Sequence, residues 1–140
     1  MVRFFNKDIK FNLKHKLLLK KWIKSVVQKY DRRVGDINVI LCDDQSILEI
    51  NMQFLSHDYY TDIITFDYSR GKRISGDMFI SLDTVASNAE MLGVSYDAEL
   101  HRVIIHGVLH LCGIDDKGEG EREIMEGFEN EALALFKTLD

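Results

Sequence analysis

The segment His106-Gly107-Val108-Leu109-His110-Leu111-Cys112-Gly113-Ile114-Asp115-Asp116 constrains the fold of this chain more than any other. On an α-helix, side chains four residues apart leave the same face about one turn apart, so His106 and His110 can share one ion. Gly113 can enter the left-handed region at no steric cost, which ends the helix and turns the chain back toward the two imidazoles. Gly113 and Asp116 stand at the offsets from His106 that the long zinc-protease motif HExxHxxGxxH gives its glycine and third ligand. Asp116 is therefore the third ligand expected from spacing. Where the proteases place a glutamate to take a proton from water, this chain has Gly107, so the segment points to metal chemistry without ordinary proteolysis.

Neighbouring residues fit this reading less well. His101 lies five positions before His106, about 140° around a helix, which takes it off the metal face and toward the surface. Asp115 adjoins Asp116, and a turn could present either carboxylate; the spacing favours Asp116. Cys112 faces away from the histidines and reads as a packing residue.

At 140 residues the chain fits a single domain, 1–140, large enough for a core without metal or disulfide staples. Cys42 and Cys112 sit in apolar stretches and form no spaced pair, which suits free thiols in a reducing cytoplasm. The N-terminal residues interleave Arg3, Lys7, Asp8 and Lys10 with apolar ones, so no signal-like or membrane-spanning run is expected. A soluble, cytoplasmic protein with no membrane partner follows. The net charge of -5 conceals an asymmetry: residues 1–33 carry eleven Lys and Arg against Asp8 and Asp31, a balance of +9, which leaves -14 for the rest. Such a basic segment on an acidic body can meet a polyanion.

Periodicity predicts a short strand over Val2–Phe5 and a helix over Leu13–Tyr30 with Leu19, Trp22, Ile23, Val26, Val27 and Tyr30 inward. Lys16, Lys20, Lys21 and Lys24 lie opposite, as a solvated face or a phosphate-contacting one. Asp36–Cys42 reads as a strand, and Asp43 as the cap of a helix through Phe54, followed by a loop over residues 55–60. Asp62–Asp67 and Gly76–Leu82 read as buried strands around a polar loop. A helix over Asp83–Leu92 closes at Gly93, and Ser95 caps the metal-binding helix. The last helix, Gly120–Leu139, has an apolar line of Ile124, Phe128 and Leu135, with Glu121, Glu123, Glu126, Glu129 and Glu131 read as solvated surface.

With these motifs in place, the chain resembles the YbeY family of bacterial metal-dependent endoribonucleases, and the likeness spans nearly its whole length. His106–Asp116 resembles the family's HGxLHLxGxDH, Thr61-Asp62-Ile63-Ile64-Thr65-Phe66 its T-D-V-L-S-F strand, and Gly76-Asp77-Met78-Phe79-Ile80 its G-D-I-x-I strand. The resemblance implies an α+β fold: a small mixed sheet of four strands, surrounding helices, and a central metal-binding helix like that of zinc proteases. It also implies single-strand-directed endoribonuclease activity in 3′ maturation of small-subunit (16S) ribosomal RNA and in ribosome quality control, with rRNA and ribosomal subunits as partners. Two positions depart from the family. Asp116 replaces a histidine, an oxygen donor that can hold Zn2+ or favour another divalent ion. Leu55 replaces an arginine whose planar guanidinium would suit phosphate.

An ion at His106, His110 and Asp116 with an open coordination position can lower the pKa of water and stabilise charge on phosphoryl oxygens. Gly107 accepts no proton, so the acceptor is sought among Asp115, Asp77 and His57, unless the ribose 2′-hydroxyl is itself the nucleophile. Lys20, Lys21 and Lys24 are the candidate RNA contacts. Two other classes fit the same residues: an rRNA-binding assembly factor whose metal is structural, and a metal-dependent hydrolase of a small molecule or peptide.

Overall fold

In a computed structural model that describes residues 1–55, 61–114 and 120–139, the chain forms four strands and five helices. They follow the order β1 (Val2–Asn6), α1 (Lys16–Lys29), β2 (Arg33–Cys42), α2 (Asp44–Leu55), β3 (Ile63–Asp67), β4 (Arg73–Ser81), α3 (Leu82–Leu92), α4 (Tyr96–Leu111) and α5 (Glu121–Thr138). The strands make one mixed sheet in the order β1-β2-β4-β3, in which β1, β2 and β4 are parallel and β3 runs antiparallel along β4. This is the α+β architecture and four-stranded mixed sheet expected from the sequence. No helix among the described residues is long and apolar enough to cross a membrane.

Strand alternation divides the sheet into two faces. Ile37, Val39 and Leu41 of β2 and Ile74, Met78 and Ile80 of β4 point into the main core, where they meet Trp22, Ile23, Val26 and Val27 of α1 and Leu100, Ile104 and Val108 of α4. The opposite face carries a smaller cluster of Cys42, Ile47, Ile50 and Ile64, with Phe66 and Phe79 against it. Two expectations change here. The strand read as Gly76–Leu82 ends at Ser81, because the Ser81 hydroxyl accepts from the Thr84 N–H and caps α3, which takes Leu82 as its first residue. The strand read as Asp62–Asp67 is an edge strand in which only Ile64 is buried.

α4 begins where Ser95 Oγ accepts from the Ala98 N–H, with Asp97 and Glu99 in its first turn, as suits the positive end of a helix. It ends at Gly113, with φ at 94°. There the Gly113 N–H donates to the His110 carbonyl and the Ile114 N–H to the Leu109 carbonyl, the paired bonds of a glycine-terminated helix.

α5 docks in a different rotation from the one read in the sequence. Its buried residues are Met125, Glu129 and Ala132, whereas Ile124 is 56% exposed. Glu129, taken as solvated, is therefore buried. The Trp22 indole N–H fixes this docking by donating to the Ala132 carbonyl at 2.7 Å. His101 is corrected as well: it is half-buried, its ring 4.7 Å from Phe136 and 6.1 Å from Trp22, and burial pushes its pKa below the usual histidine value.

Candidate metal and catalytic site

One face of α4 presents Glu99, Arg102, His106 and His110, spaced by three and four residues so that they stack along successive turns. The opposite face, with Val103, Ile104 and Val108, is buried in the core. His106 and His110 place their Nε2 atoms 3.1 Å apart, with the rings edge to face at a centroid distance of 4.7 Å. Two ring nitrogens converging in this way are the arrangement the helical spacing required.

Gly107 lies between them, where α4 comes close to the side chains of the sheet. A Cβ there would stand 2.7 Å from Ile63 Cδ1 and 3.0 Å from the Met78 sulfur. Any side chain at 107, the glutamate of the protease motif included, would have to displace the ends of Ile63 and Met78: α4 rests on β3 and β4 through Gly107.

Behind the histidines is a chain of charges. Glu129 Oε2 lies 2.6 Å from His106 Nδ1, and Glu129 Oε1 accepts from Arg102 Nη1 at 3.0 Å. Arg102 also donates from Nε and Nη2 to both oxygens of Glu99, at 2.8 and 2.5 Å. The Glu99 and Glu129 side chains are 1% and 2% exposed, and that of Arg102 is 30% exposed. The Glu99 hydrogen bonds first, together with those of Glu129, raise the Arg102 pKa further above its ordinary value.

Asp62, immediately before β3, is near enough to these groups for their charges to act on its carboxyl. Burial raises its pKa, while the charges of His106 and Arg102 pull it down and that of Glu99 pushes it up. Four groups at this site, Glu99, Arg102, Glu129 and Asp62, were not singled out in the sequence. For Glu129 a signal was present: Met125, Glu129 and Ala132 follow helical spacing, so a stripe drawn one residue later would have included it.

The candidates from the sequence divide three ways. His106 and His110 are brought together. Asp77 is not: it sits between Gly76 and Met78 on β4, so its side chain points to the sheet face away from α4, where Asp77 Oδ1 accepts from Asn38 Nδ2 at 2.9 Å. Asp115, Asp116 and His57 lie outside the described residues. Among the described residues, no group of three or more His, Cys, Asp or Glu side chains is arranged to hold a metal ion. Lys21 and Lys24 are exposed and Lys20 is half-buried, all on α1. Cys112 is buried, and that burial pushes its thiol up to about 11, which agrees with a packing residue.

The arrangement joins two convergent imidazoles, a carboxylate on the far nitrogen of one of them, a guanidinium with spare donors and a second carboxylate. Among the described residues the set offers two nitrogen donors on one side, His106 Nε2 and His110 Nε2, and a cationic guanidinium beside them. A family model described as endoribonuclease YbeY matches residues 2–137. A protein named endoribonuclease YbeY from Bacteroides thetaiotaomicron is 67% identical over 114 residues, 81% of this chain and 83% of that protein. One of the same name from Parabacteroides distasonis is 58% identical over 134 residues, 96% of this chain and 94% of that protein. Among solved structures, the solution structure of TM1509 from Thermotoga maritima is similar with a TM-score of 0.65 and 28% identity, covering 99% of this chain and 93% of that one.

Proposed function

This chain belongs to the YbeY family of endoribonucleases, and from that premise we propose that it cleaves single-stranded ribosomal RNA with the help of one divalent metal ion. The observation that carries the metal dependence is the convergence of His106 Nε2 and His110 Nε2 at 3.1 Å, with a buried carboxylate on the other nitrogen of His106. Neutral imidazoles backed by a carboxylate fit Zn2+ or a similar ion. Asp116 is the third ligand by spacing, and its oxygen donor also accommodates another transition metal. Bound there, the ion supplies Lewis acidity and stabilises charge on the phosphoryl oxygens.

The chain's own residues would do the rest. Glu129 keeps a buried carboxylate against His106 Nδ1, on the side of the ring away from His110. Asp62, whose carboxyl feels the charge of His106, is the candidate among the described residues to take a proton from the attacking hydroxyl, a role Gly107 cannot fill and Asp77 faces away from. Asp115 and His57, outside the described residues, are the sequence's candidates for the same task. The two N–H donors of Arg102 not used by Glu99 and Glu129 can meet a phosphate oxygen where the family uses an arginine at the position of Leu55. Lys20, Lys21 and Lys24 on α1 supply sequence-independent attraction to the RNA backbone. The resemblance supports the finer assignment: small-subunit rRNA near its 3′ end as substrate, ribosomal subunits as the setting, and a part in ribosome quality control.

The test is cleavage of single-stranded and structured RNA by the purified chain, with its metal content read by elemental mass spectrometry and His110→Ala as the control. Cleavage that needs the metal and is lost in the variant is the expected result. RNA binding without cleavage would instead favour an assembly factor with a structural metal.

A further inference from the structure

We propose that Glu129 is a positioning residue for the metal site, setting the tautomer of His106, and that Arg102 holds it in that role. This inference rests on the metal-dependent reading above and deepens it.

The argument starts from hydrogen-bond inventory. A carboxylate only accepts and a guanidinium only donates. Glu129 gives one oxygen to Arg102 and the other to His106 Nδ1, so neither oxygen is left to rotate toward another partner. Arg102 is itself fixed, because both oxygens of the buried Glu99 grip its Nε and Nη2. The far end of this chain of bonds is therefore rigid, and the near end is His106. With Glu129 accepting, the ring proton must sit on Nδ1. The unprotonated nitrogen is then Nε2, which faces His110 Nε2. That is the tautomer a metal needs. The contact also links α5 to the site across 23 residues of sequence, so docking of the last helix and readiness of the first ligand are one event.

Replacing Glu129 with glutamine reverses the logic with almost no change in shape. Arg102 cannot accept, so it takes the glutamine carbonyl oxygen, and the amide NH2 then faces His106 Nδ1. Nδ1 must now accept, which moves the proton to Nε2, the atom that should bind the ion. Glu99→Gln is the matched control. It removes a carboxylate of equal burial from the same guanidinium but leaves the His106 contact alone.

The experiment measures zinc affinity of the full chain by competition with a chromophoric chelator, together with the melting temperature and the imidazole nitrogen NMR shifts of the metal-free protein. The expected result for Glu129→Gln is a loss of about 10–100-fold in zinc affinity, with His106 switched to the Nε2–H tautomer. Glu99→Gln should lower the melting temperature and leave the His106 tautomer as in the wild type, with a loss of zinc affinity clearly smaller than that of Glu129→Gln, because it loosens Arg102 without touching the His106 contact. Equal losses of affinity in both variants would make Glu129 a merely structural ion-pair partner and overturn the inference. So would wild-type affinity in Glu129→Gln. A wild type that binds no zinc overturns the proposed metal dependence and this inference together, a result distinct from either of those.

Discussion

Replacing Gly76 with alanine should destabilise the protein, because β3 and the end of α4 both come too close to β4 at that point. An alanine Cβ would sit 2.5 Å from the Phe66 carbonyl oxygen and 2.9 Å from Leu111 Cδ2, where ordinary contact begins near 3.4 Å. The leucine can turn, but the carbonyl belongs to the backbone of β3 and can retreat only if the strands part. Overpacking of this kind costs about 1–3 kcal/mol. Against it stands a gain of roughly 0.4–1 kcal/mol from the smaller freedom of alanine in the unfolded chain. The net loss is about 1–2 kcal/mol, a fall in Tm of roughly 3–8 °C for a domain of this size. Calorimetry of the metal-free protein reads it. Gly107→Ala is the internal comparison: its Cβ meets the flexible ends of Ile63 and Met78 at 2.7 to 3.1 Å, and a helix-interior glycine gives back about 1 kcal/mol on conversion to alanine. Gly107→Ala should therefore cost clearly less than Gly76→Ala. A Gly76→Ala protein as stable as wild type, or the reverse order of the two variants, would refute the claim that backbone proximity governs this corner.

Four further outcomes follow from the site and its surroundings. Asp62→Asn should lower turnover by about 10²-fold or more, read as RNA cleavage at equal metal loading. The same variant should melt higher than wild type at neutral pH: a carboxyl whose folded pKa is raised by burial penalises folding once ionised, so the gap should close as pH falls below the ordinary 3.8. His101 has the opposite sign of linkage. Its folded pKa is lowered, chiefly by burial and also by His15, against the pull of Asp97, so the unfolded chain takes up protons first and stability is lost as pH falls below 6.5. His101→Phe, which keeps the ring between Trp22 and Phe136, should flatten the melting curve against pH in that window. Charge reversal at Lys20, Lys21 and Lys24 should weaken RNA binding and reduce its salt slope by roughly one unit per lost phosphate contact; an unchanged slope would mean that α1 only faces solvent.

What the sequence determined by itself is what short-range geometry determines. Four-residue spacing brings His106 to His110, Ser95 starts α4, Gly113 stops it, and the apolar period of α1 selects Trp22, Ile23, Val26 and Val27 for the core. Each of these depends on residues within a few turns of each other, so no knowledge of the remainder of the chain is needed. The partners of the histidines were decided only by the tertiary structure. Glu129 is one glutamate among several on α5; helical spacing puts it in line with Met125 and Ala132, but that stripe and the one through Ile124 and Phe128 are equally open to a helix that has not yet docked. Its burial comes from the rotation in which the helix docks, fixed by apolar contacts and by the Trp22 bond to Ala132. Asp77 is the strand carboxylate the sequence offers as a proton acceptor and Asp62 is passed over, although both belong to strand motifs. The pleat of β4 turns Asp77 to the face away from α4, while Asp62, ahead of β3, lies where the charges of His106 and Arg102 act on it. Which side of a sheet meets a given helix is a property of the packed layers, and the core has to form before a carboxylate can be assigned to either face.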